Sequence, residues 1–355
     1  MAKKRRPVGQ TIGGIVAGID QQIFRTTPPA NELVAKGTPL RATAAAGGGT
    51  ITIGLPGDAD ESAAQTSEPP VQRATRATRL RLSAPGVEAV VDLDAGGRLA
   101  SFVVDGRELL LTEGSDPFAW GSFPMVPFAG RIRDGRFEFR GRRFQLPADM
   151  PPHAIHGTVL DRRWKALDER TITTELGPAW PFAGRAVQRF ELEVGRFTSR
   201  LELHADEPMP ASIGWHPWFR RQPPPAPGGA DGPATGPLEL EFEAGAMYRR
   251  DAAGIVTTEL VVPPPPGPWD DCFVDLRRPP VLRWPGFLEL TIDSDCPTWV
   301  VYTVPADALC VEPQSAPPDA LNTGPAIVEP ARPLIAEMVW IWRSLAAEPP
   351  VNAAG

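Results

Sequence analysis

Cysteine is scarce and scattered in this chain of 355 residues: there are three, Cys272, Cys296 and Cys310. No two form a C-x-x-C pair, which leaves neither a disulfide framework nor a zinc ribbon to read, and a reducing, cytoplasmic location is expected. Long apolar runs are missing as well. Nothing reaches the roughly 18 consecutive residues a membrane helix needs. No glycine-rich phosphate loop, nucleophile elbow or spaced metal-ligand cluster occurs, so phosphate-cradling, serine-hydrolase and metal chemistry have no anchor in the spacing. No segment sustains a 3.6-residue apolar stripe, which argues against a helical architecture. Surplus positive charge is lacking too: the net charge of -7 argues against non-specific nucleic-acid binding.

What is present is proline and glycine, 43 and 34 residues, alongside a hydrophobic fraction of 42%. That fraction fills a core, and the turn formers imply many short elements. Residues 1–72 differ in texture from the rest of the chain. Lys3-Lys4-Arg5-Arg6 precedes Ile12–Ile19, but that run holds three glycines and ends at Asp20 without a small-residue cleavage site. It reads as a basic solvated arm rather than a secretion signal. Gly47–Gly49 and Asp58–Pro70 read as linker. The expected organisation is an arm and linker over 1–72, one domain over 73–343 and a frayed tail over 344–355.

From Arg79 onward the pattern alternates with period two, the mark of half-buried strands. Val87–Leu93, Leu99–Val104, Arg136–Arg140, Arg143–Leu146, Val187–Val194, Ser199–His204, Leu238–Phe242, Leu288–Ile292, Trp299–Tyr302 and Met338–Trp342 all carry it. Strands without helical crossovers predict an all-β fold, a large antiparallel β-sandwich in which each sheet buries one face on the other. Pro223–Pro237 and Pro263–Pro268 are expected surface loops.

Four segments break the alternation and carry polar residues at expected strand ends. In Phe123–Arg133, Arg131 follows Gly130 and can present its guanidinium fork to hydroxyls, or be an ordinary surface arginine. His156 precedes Gly157 in His153–Gly157, where a glycine lets backbone pass close to a ligand. The His153–His156 spacing would suit a metal on a helix, but Pro151-Pro152 and the strand context disfavour one, and no third ligand is in view. His216 lies between Trp215 and Trp218 in Ala211–Phe219. Its imidazole titrates near neutral pH, and the aromatic faces suit a sugar ring or a core equally. In Leu309–Asn322, Glu312 ends an apolar run and is locked by Pro313, with Gln314 and Asn322 close by. Trp269-Asp270-Asp271 is either a hydroxyl clamp or a solvated turn. Together these residues suit proton transfer on a polyhydroxylated molecule.

The order and wording of these segments resemble the aldose 1-epimerase (galactose mutarotase-like) family over roughly residues 79–343. The correspondence runs through Gly130-Arg131-Ile132, His156-Gly157, His216-Pro217-Trp218-Phe219, Asp270-Asp271-Cys272-Phe273, and Glu312-Pro313-Gln314 to Asp319-Ala320-Leu321-Asn322. Gly130 departs from the family's usual Asn. The resemblance implies interconversion of the α and β anomers of an aldohexose such as glucose or galactose, with no metal or organic cofactor. It implies Glu312 as the base on the C1 hydroxyl and His216 as the acid on the ring oxygen. His156, Arg131, Asp270, Gln314 and Trp215 are then the expected sugar-binding residues. The expected partner is a small-molecule sugar, with no nucleic acid and no membrane, and the oligomeric state, monomer or homodimer, is open. Three rivals stand beside this reading. A hexose-6-phosphate 1-epimerase would use Arg133, Arg162, Arg163, Arg220 or Arg221 for the phosphate. A non-catalytic sugar binder would not need the acid–base pair. A glycosidase would need Glu312 and Asp270 to face each other across the scissile bond.

Overall fold

A computed structural model describes residues 78–225 and 236–345. The expectations for residues 1–72, for much of the Pro223–Pro237 loop and for most of the tail lie outside the described residues. Among those described, nearly every element is a strand, and the one α-helix is the single turn Ala320–Thr323. No helix among the described residues is long and apolar enough to cross a membrane.

Two antiparallel sheets carry the fold. The larger has eleven strands; its central members, in order across the sheet, are Arg98–Val104, Ser122–Met125, Gly214–Arg220, Ala308–Gln314, Thr298–Tyr302 and Asp270–Leu276. The smaller has eight and is centred on Gly184–Glu193, Arg196–Ala205, Leu334–Ser344 and Leu288–Ser294. Alternation explains the assembly: Arg196–Ala205 buries every second residue, and side chains of period two must meet a second layer. They do so in one core shared by both sheets. Phe102 of the larger sheet packs edge-on against Trp340 of the smaller at 5.1 Å, and Phe219 meets the same indole at 5.0 Å. The expected all-β sandwich is the fold observed.

One expectation needs correcting. The segments around His216 and Glu312 are not strand ends but the two middle strands of the larger sheet, Gly214–Arg220 and Ala308–Gln314. They escaped the alternation signal because both of their faces are buried, which erases the polar half of the pattern. Each also contains a proline, normally excluded from central strands because it cannot donate to the ladder. The consequence is visible in the pairing. Gly214 pairs with Gln314 and Trp218 with Cys310, but the ladder is interrupted between those rungs, where Pro217 and Pro313 lie. His216 and Glu312 sit at that gap.

Candidate active site

Register places the candidate residues on one face of the larger sheet, the face turned away from the shared core. One row across the strands is Asp270, Tyr302, Cys310 and Trp218. The next joins Cys272, Val300 and Glu312, and on the other side of the gap His216 with Phe123. Gln314, Gly214 and Met125 share the third. A side chain one position along any of these strands points the other way. This decides Trp215, which was expected at the sugar. It is buried in the shared core, where its indole Nε1 donates to Ser199 Oγ of the smaller sheet at 3.1 Å. Trp218, two residues on from His216, is the tryptophan on the site face.

The centre of the face is a contact between His216 Nε2 and Glu312 Oε1 at 3.2 Å, with both side chains buried. The second carboxyl oxygen of Glu312 accepts from Gln314 Nε2 at 3.2 Å. Gln314, expected to bind sugar, is therefore fully buried and spends its amide on the carboxyl. The imidazole of His216 is sandwiched between Phe123, with ring centroids 4.9 Å apart, and Trp218, at 5.2 Å. His156 meets it edge-on at 5.0 Å. Each of these two histidines also keeps a buried Nδ1 with no hydrogen-bond partner.

Water is thus largely excluded, and the protonation equilibria respond to that. Burial pushes the Glu312 carboxyl well above the usual carboxylate range, and the nearby Asp270 charge adds to the shift. Burial pushes the His216 imidazole down to about 3, with the cations Arg98 and Arg131 acting in the same direction. His156 is depressed for the same first reason, helped by His216 and Arg131. Each group is held toward its neutral form, so the pair carries one proton between Oε1 and Nε2.

The remaining groups arrive from outside the central strands. Arg131–Ile132 pairs with Ala154–Ile155 in a small ribbon, which brings Arg131 and His156 to the same place. The His156 amide donates to Gly130 O at 3.0 Å. Gly157 packs so tightly on Val126 that a Cβ there would fall 2.0 Å from its carbonyl oxygen, so only glycine fits. Asp319 ties the segment after Glu312 to this ribbon: its amide donates to Arg131 O at 2.7 Å, and its Oδ1 accepts from the Arg133 amide at 2.9 Å. Asn322 donates to the same Asp319 oxygen at 2.7 Å, a structural task. The Arg131 guanidinium approaches Met150 Sδ at 3.7 Å. Asp270, at the head of its strand, is ion-paired with Arg250 at 3.1 Å, and burial raises it despite the cations Arg131 and Arg250.

Sequence reasoning did not single out Phe123, Tyr302, Cys310 or Arg98. Cys310 is legible once alternation is counted from Glu312, whereas Phe123 and Tyr302 lie on neighbouring strands and only the register places them beside His216 and Asp270. Arg98 has no such signal: its buried guanidinium donates to the carbonyls of Ala95, Pro117 and Trp120 and lies 5.3 Å from the Phe123 ring centroid, behind the histidine sandwich. Nor did spacing reveal a metal-capable set, yet His216, Cys310 and Glu312 present ligand atoms within 4.8 Å of one another.

The family model of aldose 1-epimerase matches residues 78–262, more than half of the chain. This chain belongs to the aldose 1-epimerase family. Among curated proteins, the uncharacterized protein YphB of Escherichia coli K12 is 29% identical over 139 residues, a stretch covering 37% of this chain and 48% of that protein. The galactose mutarotase-like protein of Clostridium acetobutylicum superposes with a TM-score of 0.62 at 16% identity, over 75% of this chain and 95% of that one. Galactose 1-epimerase of Lactobacillus acidophilus gives 0.60 at 17%, over 74% and 93%. At these identities the likeness speaks for the fold. The family match contains Arg131, His156 and His216 but stops short of Asp270 and Glu312, which the sheet register brings to them.

The departure at Gly130 has a physical reason. This residue has φ +70°, and a Cβ there would lie 2.6 Å from the Pro318 ring. Where the family usually carries Asn, the ring of Pro318, from the segment after Glu312, lies directly against the Gly130 backbone.

Proposed function

We propose that this protein is an aldose 1-epimerase acting on an unphosphorylated aldohexose, with Glu312 as base and His216 as acid. The observation that carries the reading is the buried His216–Glu312 contact of 3.2 Å, on the same sheet face as Asp270 and beside Arg131 and His156. In its carboxylate–imidazolium form the pair holds a base and an acid side by side. Glu312 takes the proton of the C1 hydroxyl while His216 gives one to the ring oxygen, the bond from C1 to that oxygen breaks, and the free aldehyde forms. Rotation about C1–C2 and closure with the proton transfers reversed yields the other anomer and restores the pair.

Burial makes each group stronger in its part. A carboxylate with a raised pKa is a better base, and an imidazolium with a pKa near 3 is a better acid. The active tautomer is the less populated one in the free site, and the Arg131 charge favours the Glu312 carboxylate. Arg131 and His156 are assigned the sugar hydroxyls and the developing charge, and Asp270 hydroxyls on the opposite side. Each of two positioned groups supplies about 10² to 10⁴ in rate.

The phosphorylated alternative finds little support. Arg133 is committed to Asp251 at 2.6 Å and Arg163 to Asp94. Arg220 donates to Leu110 O, Arg221 to Pro305 O and Thr303 O, and the Arg162 guanidinium packs against Gly177. The partner of Glu312 is a histidine, which also distances the site from the two-carboxylate arrangement of a glycosidase. Polarimetry on freshly dissolved α-glucose, α-galactose and glucose 6-phosphate tests the reading. Acceleration with a free hexose is expected, and activity confined to the phosphate would overturn it.

A further inference from the structure

Cys310 lies two residues before Glu312 on one strand, so alternation turns its thiol to the same face as the carboxyl. His216 reaches that face from the adjoining strand. The sulfur, a carboxyl oxygen and a ring nitrogen of the three lie within 4.8 Å of one another, and the nitrogen–oxygen pair is already at 3.2 Å. All three side chains are buried. In a tetrahedral zinc site the ligand atoms stand about 2.0 to 2.3 Å from the metal, which puts them roughly 3.3 to 3.8 Å from one another. Only one of the three is a sulfur, which would stand roughly 3.5 Å from the nitrogen and the oxygen, so the trio needs to close by about 1.3 Å at most to meet that geometry.

We propose that His216, Cys310 and Glu312 form an inhibitory site for Zn²⁺ or a similarly borderline-soft divalent cation. One thiolate, one imidazole and one carboxylate suit zinc better than magnesium or calcium, which prefer oxygen alone. Three protein ligands with an open fourth position describe an exchangeable site rather than a closed structural one. Gln314 supplies outer support by holding the second oxygen of Glu312. The ligands bind the metal deprotonated, so binding releases the thiol proton and the proton shared by His216 and Glu312 to the buffer. The inhibitory consequence rests on the function proposed above: a cation on His216 and Glu312 occupies the acid and the base at once, and metal and turnover exclude each other.

The binding itself is tested without turnover. Titration of the full chain with ZnCl₂ by calorimetry is expected to give one tight equivalent. Co²⁺ in its place is expected to show the near-ultraviolet absorption of a thiolate–cobalt bond. Cys310→Ala and the near-isosteric Cys310→Ser should both lose that absorption. Loss of an outer-shell partner costs 10- to 100-fold, so loss of the sulfur ligand should weaken zinc by roughly 100-fold or more. His204→Ala, which dismantles the partly exposed contact of His204 with Glu202 on the smaller sheet, should leave zinc and cobalt binding intact. Wild-type mutarotation should fall with zinc and return with a chelator, and the residual rate of either Cys310 variant should be insensitive to zinc. Absence of the thiolate band in the wild type, or equal zinc affinity in the Cys310 variants, would overturn the site. A chain that shows the Cys310-dependent band but accelerates no sugar would leave this site standing and sink the proposed function instead.

Discussion

The described residues contain two histidine–glutamate contacts of almost the same length, one on each sheet. His216 and Glu312 are 3.2 Å apart on the larger sheet, with side chains 7% and 2% exposed; His204 and Glu202 are 3.0 Å apart on the smaller, at 24% and 26%. Their carboxyls move in opposite directions. At Glu202 burial alone would push the pKa up, but hydrogen bonds from Arg200, at 2.9 Å, and from His204 outweigh it and leave the group below its ordinary value. At Glu312 no guanidinium among the described residues is in contact: a neutral amide holds the far oxygen, Asp270 adds negative charge, and burial wins. Distance between a histidine and a glutamate therefore says little about chemistry. Exclusion of water and the lack of a guanidinium partner turn one contact into a candidate acid–base pair and leave the other a partly exposed contact beside Arg200.

The strongest way to break this comparison is to remove the carboxylates one at a time. Glu312→Gln and His216→Asn should each cost about 10² to 10⁴ in kcat, the usual worth of a positioned acid or base. Glu202→Gln should stay within about twofold of the wild type. Polarimetric rates on the three variants, with sugar binding followed by calorimetry, decide it. A Glu312→Gln enzyme with full activity would remove Glu312 as the base.

The pH dependence of activity sharpens the contrast next. The active pair holds one proton, so the relevant pKa values belong to the pair rather than to either residue. A second proton must be forced onto a group held at about 3, which places the acid limb far below ordinary histidine titration. Loss of the single proton is resisted by burial, which places the alkaline limb above the carboxylate range. The kcat/KM profile should be flat between those limits, and Glu202→Gln should overlay it. A wild-type acid limb near 6.5 would mean that His216 titrates as an exposed imidazole does.

Most of the fold was legible because most strands bury one face only. The alternation of Val187–Val194 and Ser199–His204 reappears in the observed strands Gly184–Glu193 and Arg196–Ala205. The middle of the larger sheet was misjudged where burial on both faces and two prolines removed the signal. The candidate site was legible as a set of segments but not as a geometry. Alternation already implies that Trp215 and His216 face opposite ways, and that Cys310 shares a face with Glu312. What sequence cannot supply is which strands lie side by side, since the pairing of residues near 216 with residues near 312 is a long-range register. The same limit hid Pro318 as the reason for Gly130.

Stability against pH gives the two glutamates opposite signs. Glu312 has a folded pKa above its unfolded one, so its contribution is complete below the unfolded carboxylate value of about 4.3 and is lost as pH rises through the folded value. Glu202 is depressed, so its contribution is complete above the unfolded value and is lost as pH falls through the folded one. His216, depressed to about 3, contributes fully above about 6.5 and loses its share as pH falls toward 3. Urea midpoints from pH 3 to 9 should show Glu312→Gln gaining on the wild type as pH rises, by at most about 1.4 kcal/mol per pH unit. Glu202→Gln should lose ground on the wild type between pH 3 and 5. Parallel curves for the two variants would contradict the opposite directions.

The smallest effect comes from making the surface pair resemble the buried one. Arg200→Met keeps the aliphatic stem but takes away the guanidinium that contacts Glu202 at 2.9 Å. The bonds that hold Glu202 low are then reduced to the one with His204, and the burial that opposes them is unchanged. Its pKa should move upward, which a titration followed by carboxyl NMR reads directly. Stability should change by less than about 1 kcal/mol, the usual worth of an exposed ion pair, and the mutarotation rate should not change. The shift should still stop far short of Glu312, because roughly a quarter of the Glu202 and His204 side chains stays in water, and water stabilises the carboxylate as the buried site cannot. If Arg200→Met instead raised Glu202 as far as Glu312, contact with a cation, rather than exclusion of water, would be what separates the two pairs.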